Sequence, residues 1–287
     1  MKPSYITKKF IDNFIKQAVE EDIGEGDHSS LSTIPADLKG KANLIIKEDG
    51  IIAGVDLANE IIKRIDEALK INFFKLDGDS VSVGEIAFEL VGPVRSILGA
   101  ERLVLNCMQR VSGIATYTHH LCELIKSTNT KILDTRKTSP TLRPLEKWAV
   151  LIGGGQNHRF ALYDMIMLKD NHIDYAGGIT AALAYVADYL AMTGKDLKVE
   201  IETRNLDEVY EVLQAGGADI IMLDNMDIPT IKKATELICG NIKTEASGGI
   251  TEKNIADIAK SGVDYISVGA LTHSAKSLDM SLKAEVE

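Results

Sequence analysis

The second half of the chain repeats a short apolar strand followed by a helical segment, and this alternation limits the folds available to it. The last four strand candidates recur roughly every 22 residues, close to the shortest length of a βα unit. The six candidates are 131–135, 164–170, 197–202, 219–225, 242–247 and 263–269. Strands joined by crossover helices pair in parallel, and apolar parallel strands are buried on both faces. The pattern therefore predicts an α/β barrel of the TIM type with six recognisable strands.

The first half of the chain has a different pattern of secondary-structure elements. Short β-rich runs between residues 40 and 96 are separated by Gly/Asp turns, with one helical stretch at 56–70, and a long helical pattern follows at 99–127. This order is typical of a small α+β domain with a largely antiparallel sheet.

Two domains are therefore expected. The N-terminal α+β domain, an open-faced sandwich, would span 1–112, and the C-terminal tail 273–287 would pack back on it. The catalytic barrel would span 113–272. Within the barrel, the sequence predicts a capping box at Asn205 and Glu208, and a helix that opens at Thr251 and closes near Gly262.

The net charge of −10 argues against general nucleic-acid binding, which requires a basic face. Against this acidic background the segment 134–172 stands out, because it carries six Lys or Arg residues and four acidic ones. A basic island in an acidic chain predicts a site for a small anionic ligand.

The N-terminus interrupts its apolar residues with charges, which favours an amphipathic helix over a signal peptide. Apolar runs stay below the ~18 residues of a membrane span. The three cysteines show no metal spacing and are expected to be small buried residues in a reducing compartment. We expect a cytoplasmic protein without membrane or nucleic-acid partners.

Barrels of this type build their active sites from the C-terminal ends of the strands. The residues at these ends sort by chemistry. Cations (Arg136, Lys137, His158, Arg159 and Lys169) accompany the first two strands, carboxylates (Glu202 and Asp224) end the middle two, and a Ser/Gly set (Ser247, Gly248, Gly249 and Gly269) follows the last two. Arginine and lysine suit carboxylates and phosphates, and glycine lets the backbone approach a phosphate.

The carboxylates leave several roles open. Glu202 and Asp224 could bind Mg²⁺, hold ribose hydroxyls or stabilise a cationic transition state, and they could also be solvated loop acids. Glu200 alternates in phase with Glu202 and should point into the barrel interior. Because an unpaired buried acid is costly, a protein or metal cation is expected near both glutamates. Lys169 could instead form a Schiff base.

Several motifs resemble the quinolinate phosphoribosyltransferase family, also called carboxylating nicotinate-nucleotide pyrophosphorylases. They are EDIGEGDHSS (21–30), ERLVLNCMQRVSGIAT (101–116), DTRKTSPTLRPLEKWAV (134–150), GGGQNHRFALYDMIMLKDNH (153–172), VEIET (199–203), IIMLDN (220–225), EASGGI (245–250) and VDYISVGALTHS (263–274). The resemblance is collinear over nearly the whole chain. It implies an incomplete TIM-like α/β barrel beside an N-terminal domain.

The resemblance also implies a reaction in NAD biosynthesis: quinolinate and phosphoribosyl pyrophosphate give nicotinate mononucleotide, pyrophosphate and CO₂, with Mg²⁺ required. Arg136, His158 and Arg159 would engage the quinolinate carboxylates, and Lys137 and Lys169 would lie near the reacting groups and the diphosphate. Glu202 and Asp224 would lie by the ribose and the metal. Ser247, Gly248, Gly249 and Gly269 would cradle the 5′-phosphate, with Thr135, Val268 and Ala270 completing the binding set. Arg102 would enter from a neighbouring subunit of a homodimer or a higher assembly of dimers.

The chain departs from the family pattern at two places. Thr141 stands where the family usually has Gly, and Leu151–Ile152 replace a common Arg–Cys pair, which leaves the local loop geometry open. A related barrel protein of molybdenum-transport operons shares the TRK and HR motifs but usually lacks KDNH, which this chain keeps at 169–172. A Schiff-base lyase using Lys169, or a non-catalytic anion sensor, would also account for a basic island in a barrel.

Overall fold

The computed structural model describes residues 2–285, which fold into two compact units. The first unit comprises the described parts of 1–119, 138–154 and 271–287, and the second comprises 120–137 and 155–270.

The predicted domain boundaries can be set beside this division. The segment 138–154, which the sequence placed in the barrel domain, packs within the first unit. The boundary between residues 112 and 113 stays a prediction. Met1 and residues 286–287 of the predicted tail lie outside the described residues.

An antiparallel sheet forms the first unit's main layer. Its strands are β1 (Lys39–Ile46), β3 (Lys70–Phe73), β5 (Ile86–Pro93) and β12 (Met280–Glu285), and a separate pair is formed by β2 (Gly50–Ile51) and β4 (Ser80–Val81). The order across the sheet is β12-β1-β5-β3. Strand β1 alternates buried and partly exposed residues, with Leu44 and Ile46 fully buried, so one face of the sheet is its core face. The predicted α+β architecture is confirmed.

Helices accompany this sheet. They are α1 (Lys8–Asp22), α2 (His28–Thr33), α3 (Val55–Ile65), α4 (Val94–Ile125) and α5 (Arg143–Ile152). The amphipathic N-terminal helix is confirmed as α1, which buries Ile11 and Ile15. The helix predicted at 56–70 ends at Ile65, because Asp66 has an extended backbone that leads into β3. The long helix begins five residues earlier than predicted, directly after β5.

The second unit is a six-stranded parallel sheet with its crossover helices. The strands are β6 (Lys131–Leu133), β7 (Ile166–Leu168), β8 (Val199–Thr203), β9 (Ile220–Asp224), β10 (Lys243–Ser247) and β11 (Tyr265–Ser267). The helices are α6 (Asp170–Ala176), α7 (Ile179–Thr193), α8 (Leu206–Ala215), α9 (Ile228–Ile238), α10 (Ile255–Lys260) and α11 (Ala270–His273). The strand order is β6-β11-β10-β9-β8-β7. All six predicted strands are confirmed, and they form the incomplete TIM-like barrel.

The register places the chemically distinctive residues on one face of this sheet. Glu200 pairs with Ile220 of β9, and Glu245 of β10 pairs with Met222. Since side chains alternate along a strand, Glu200, Glu202 and Glu245 share a face with Asp224. Each of the three glutamates is buried.

Two helix starts differ from the prediction. The Asn205 side chain accepts the Glu208 amide, as a capping box requires, but the Glu208 carboxylate accepts the Arg204 amide rather than that of Asn205. The helix predicted to open at Thr251 begins at Ile255, because Thr251 lies in a preceding turn in which its amide donates to a side chain.

Two predictions, that the cysteines are buried and that the chain does not span a membrane, can be compared with the structure. All three cysteines are free, but Cys239 is exposed, so the expectation of small buried residues is wrong there. Cys107 is more enclosed, and burial raises the pKa of its thiol to about 12. Within residues 2–285, the helices are too short or too polar to cross a membrane.

Candidate active site

The ends of neighbouring strands carry the first group of predicted site residues. Lys169 directly follows β7 and caps α6, where its amide donates to Nδ1 of His172 at 3.0 Å. Glu202 lies near the end of β8, and Asp224 ends β9. Because the strands are parallel, these three side chains meet at the C-terminal edge of the sheet.

Lys169 and Glu202 form an ion pair across this edge. The Lys169 Nζ lies 3.1 Å from Oε2 of Glu202. Glu202 is 8% exposed in its side chain and Lys169 is 48% exposed, so a buried acid is paired with a cation that still reaches solvent. The predicted cation beside Glu202 is therefore a protein side chain.

The turn after β6 carries Arg136 and Lys137. Its anchor is Asp134, which is fully buried and accepts the His158 amide at 2.9 Å and the Asn157 side-chain amide at 2.6 Å. Thr135 accepts the amide of Lys137 through its hydroxyl at 3.0 Å, which closes the turn. Asp134 therefore ties this turn to the segment that carries His158.

The guanidinium groups of Arg136 and Arg159 lie near enough for their charges to interact. Burial lowers the pKa of Arg159, and the neighbouring Arg136 cation lowers it further. Glu200 and Asp164 partly counter this effect. The Nε atom of Arg136 is buried, so its exposed surface lies toward the terminal amino groups of the side chain. Two adjacent guanidinium groups suit a ligand with two carboxylates.

The His158 ring turns inward from this cationic group. Its Nε2 lies 2.9 Å from Oε2 of Glu200 and 3.2 Å from Oε2 of Glu245, and its Nδ1 accepts the Arg159 amide at 2.6 Å. Burial alone would lower the pKa of His158, but hydrogen bonds to Glu200 and then Glu245 outweigh it and raise the pKa to about 10. Both ring nitrogens thus face protein groups. A role of His158 in binding the ligand carboxylates stays a prediction.

A glycine turn follows β10. Gly248 and Gly249 have φ values of 85° and 63°, which glycine adopts without strain. A Cβ atom at Gly248 would overlap the side-chain amide of Asn225. That amide in turn donates to Oδ2 of Asp224 at 2.7 Å, and the Asn225 backbone donates to the Ser247 carbonyl at 2.9 Å. Gly248 thus packs against the Asn225 amide, which in turn binds the predicted carboxylate, Asp224.

The remaining predicted residues lie in two places. Val268 follows β11 and donates its amide to Leu133 of β6, and Gly269 and Ala270 come next in the chain. Arg102 is exposed on α4 in the first unit, whereas the other predicted site residues belong to the second.

Some supporting residues do not stand out in the sequence. Glu245 is fully buried, although only Glu200 and Glu202 are predicted from the sequence to face the barrel interior. The available signal was its position in β10, where it alternates in phase with Ser247. In the first unit, buried Glu146 binds Arg110 at 2.8 Å and accepts the Ser139 amide at 3.0 Å, close to the TRK motif in sequence.

The fold and these strand ends are those of a class of protein, the α/β-barrel enzymes, here with cations, carboxylates and a glycine turn at the C-terminal ends of the strands. Comparison with known proteins narrows this class. Residues 27–112 match the quinolinate phosphoribosyl transferase N-terminal domain, and residues 114–283 match the C-terminal domain. The chain belongs to the quinolinate phosphoribosyl transferase family.

Individual relatives agree over nearly the full length. A chloroplastic nicotinate-nucleotide pyrophosphorylase [carboxylating] of Oryza sativa subsp. japonica is 48% identical over 95% of this chain and 77% of its own length. A probable nicotinate-nucleotide pyrophosphorylase [carboxylating] of Bacillus subtilis is 44% identical, over 96% of this chain and 92% of its own length. The crystal structure of NadC from Streptococcus pyogenes superposes with a TM-score of 0.92 and 40% identity, covering 97% of each chain.

Proposed function

We propose that this chain transfers the phosphoribosyl group of phosphoribosyl pyrophosphate to the ring nitrogen of quinolinate and releases pyrophosphate and CO₂. The product, nicotinate mononucleotide, would enter NAD biosynthesis. The proposal is carried by the Lys169–Glu202 ion pair at the C-terminal edge of the sheet, together with the charge interaction between Arg136 and Arg159. The names of the relatives favour this activity over that of a molybdenum-operon protein or a Schiff-base lyase.

The arginine pair would bind the two carboxylates of quinolinate. A guanidinium group binds a carboxylate through two parallel hydrogen bonds, which fixes the plane of the ring as well as its position. His158 would support this site indirectly: its ring accepts the Arg159 backbone amide and so helps to fix the position of Arg159, without contact to the substrate. This arrangement would leave the ring nitrogen free to attack.

The reaction would proceed in two steps, substitution at the sugar and then loss of CO₂. The ring nitrogen forms a bond to the ribose C1 while the bond from C1 to the pyrophosphate oxygen breaks and its electrons leave with pyrophosphate. The ring nitrogen is then cationic, so the bond to the adjacent carboxylate can break with its electrons retained at C2, and CO₂ leaves. A proton from the medium takes the vacant position at C2. Lys137 and Lys169 would stabilise the leaving diphosphate, and Glu202 and Asp224 would offset positive charge at the sugar.

The carboxylates fit a magnesium ion. Glu202 uses Oε2 in its contact with Lys169, and Asp224 uses Oδ2 in its contact with Asn225, so each keeps a second hard oxygen donor. The register places both on one face of adjacent strands. We propose that Glu202 and Asp224 hold Mg²⁺ together with substrate oxygens. When bound, the ion would neutralise charge on the diphosphate.

The 5′-phosphate would lie at the loops after the last two strands. Ser247, Gly248 and Gly249 follow β10, and Val268, Gly269 and Ala270 follow β11. The positive φ values of Gly248 and Gly249 support this proposal, because they allow the backbone to approach a phosphate closely.

The test of the proposed function is a comparison of substrates. Quinolinate and nicotinate would each be incubated with phosphoribosyl pyrophosphate and Mg²⁺, and CO₂ and pyrophosphate would be measured. We expect both products in equal amounts with quinolinate. Pyrophosphate from nicotinate at a comparable rate, or no turnover with quinolinate, would contradict the proposal. A Schiff-base mechanism would instead show covalent trapping of Lys169 by borohydride.

We also propose that Arg102 completes the site of a second copy in a homodimer or an assembly of dimers. Its support is the family resemblance and the exposure of Arg102 on α4. Chains with Arg102→Ala and chains with Arg159→Ala would be mixed after each is shown to be inactive. A mixed dimer would contain one site with both arginines intact, so partial recovery is expected. No recovery, with subunit exchange verified, would refute the sharing of sites.

A cytoplasmic location is the last element of the proposal. The support is chemical: all three cysteines are free, as is usual in a reducing compartment. Fractionation of the source cells, with activity assayed in each fraction, is the test.

A further inference from the structure

Three titratable side chains lie together inside the barrel, and two of them, both glutamates, have no part in the reaction described above. They are His158, Glu200 and Glu245, and we refer to them as the buried triad. Both carboxylates are fully buried, and the His158 side chain is 6% exposed. Each carboxylate approaches the same ring atom, Nε2, at 2.9 Å for Glu200 and 3.2 Å for Glu245.

The barrel register brings the two glutamates together. Glu200 belongs to β8 and Glu245 to β10, and β9 lies between these strands. In such barrels, inward side chains from alternate strands meet in one layer. Burying two carboxylates in this layer is costly unless they are paired, and burial raises the pKa of Glu200. His158 presents its Nε2 atom to both carboxylates.

The hydrogen bond at Nδ1 of His158 determines whether the buried triad can bind a metal ion. Nδ1 of His158 accepts the Arg159 amide at 2.6 Å, so this atom offers a lone pair and the ring hydrogen is on Nε2. A hydrogen on Nε2 excludes a metal ion from that atom, although a histidine and two carboxylates in this spacing resemble a metal site. The triad has two carboxylates and one imidazole, so its charge is negative when both carboxylates are ionised.

This charge lies next to the arginine pair. Arg136 depresses the pKa of Arg159, and Glu200 acts in the opposite direction. The triad is also connected to Arg159 through the backbone, because the His158 ring accepts its amide. The preceding amide, that of His158, donates to buried Asp134. The position of Arg159 is therefore set by groups that no substrate touches.

We propose that Glu200 and Glu245 are positioning residues for the dicarboxylate site, acting through His158 to orient Arg159 and supplying the negative charge that keeps two adjacent arginines together. This inference rests on the proposed function for the identity of the ligand. It gives Glu245 a role in the site and gives Glu200 a role beyond pairing a buried charge. Neither glutamate is a catalytic residue.

The test measures binding and turnover separately. The variants Glu200→Gln and Glu245→Gln keep the side-chain size but remove the charge. Titration calorimetry with quinolinate should show a Kd about tenfold higher in each variant, while the Kd for phosphoribosyl pyrophosphate stays within about twofold. The matched control is Asp264→Asn, which removes a carboxylate that accepts the Thr244 amide near the N-terminal end of β10. It should lower the thermal midpoint without changing the ratio of the two Kd values.

A second set of variants tests whether the glutamates act through His158. His158→Gln alone should weaken quinolinate binding, and adding Glu245→Gln to it should change the Kd by less than about twofold. A further tenfold loss in the double variant would overturn the route through His158.

The remaining outcomes are equally decisive. Equal changes in the two Kd values, or variants that both fail to fold, would show that the triad is only structural and would overturn the inference. Quinolinate binding that follows the expected pattern without CO₂ release in the wild type would refute the proposed function and leave the positioning role standing. If the wild type does not bind quinolinate, both the proposed function and the positioning role are refuted.

Discussion

Replacement of Arg136 by alanine separates the two substrates most clearly. We expect the KM for quinolinate to rise far more than the KM for phosphoribosyl pyrophosphate. The reason is that Arg136 and Arg159 are close enough for their charges to interact, and we propose that together they bind the two carboxylates of quinolinate.

The size of the effect follows from the exposed part of the side chain. Since Nε of Arg136 is buried, a carboxylate would bind through the two terminal amino groups. A hydrogen bond to a charged group contributes roughly 1.5–3 kcal/mol, so losing two of them should cost at least about 3 kcal/mol. Loss of Arg136 also removes its repulsion of Arg159, which keeps the expected cost near this lower value. The KM for quinolinate should then rise about 10²-fold.

The assay is steady-state CO₂ release, with each substrate varied while the other is saturating. Arg136→Lys retains the charge but loses the planar fork, so its KM for quinolinate should be intermediate. Arg204→Ala is the matched control, because Arg204 is an exposed barrel cation that pairs with Glu208 and Asp174. It should leave both KM values within about twofold.

Three results would refute this reasoning. Equal increases in both KM values would mean that Arg136 does not discriminate between the substrates. A fall in kcat with unchanged KM values would assign Arg136 to the transition state instead of to binding. A wild-type value in Arg136→Lys would show that charge alone suffices.

Three further predictions concern the backbone and pH. Thr141 has a φ of 67°, which a β-branched residue adopts at a cost of roughly 1–2 kcal/mol. Because glycine loses more backbone entropy on folding, Thr141→Gly should raise the free energy of unfolding in urea by no more than about 1 kcal/mol. A lower free energy of unfolding would contradict the strain at Thr141. Gly248→Ala should raise the KM for phosphoribosyl pyrophosphate more than that for quinolinate, because its methyl group must displace the Asn225 amide; unchanged kinetics would remove the glycine turn from the phosphate site. Asp264 is partly buried, which by itself would raise its pKa, but hydrogen bonds from Lys243 and Thr244 lower it below the ordinary value of about 3.9. Its contribution to stability is therefore present above that value and lost as pH falls through the lower folded-state pKa. The stability of Asp264→Asn should thus approach that of the wild type only in acid, and a difference independent of pH would contradict this assignment.

The sequence determined the barrel and the types of residue at its strand ends. Apolar strands recurring with helices between them can only form a parallel sheet, so the positions of Lys169, Glu202 and Asp224 at one edge followed from the chain order alone. The cation expected beside buried Glu202 is also present, because the cost of burying a charge applies to any fold.

Only the tertiary structure decided how these residues are paired. Glu200 and Glu245 are 45 residues apart in sequence, and their contact with one histidine depends on the register of the strands across the barrel. The direction of the His158 ring could not be read from the NHR motif, because it follows from hydrogen bonds to those glutamates and to the Arg159 backbone. Sequence periodicity reports which face a side chain occupies, whereas a partner from a distant strand is known only once the sheet has closed.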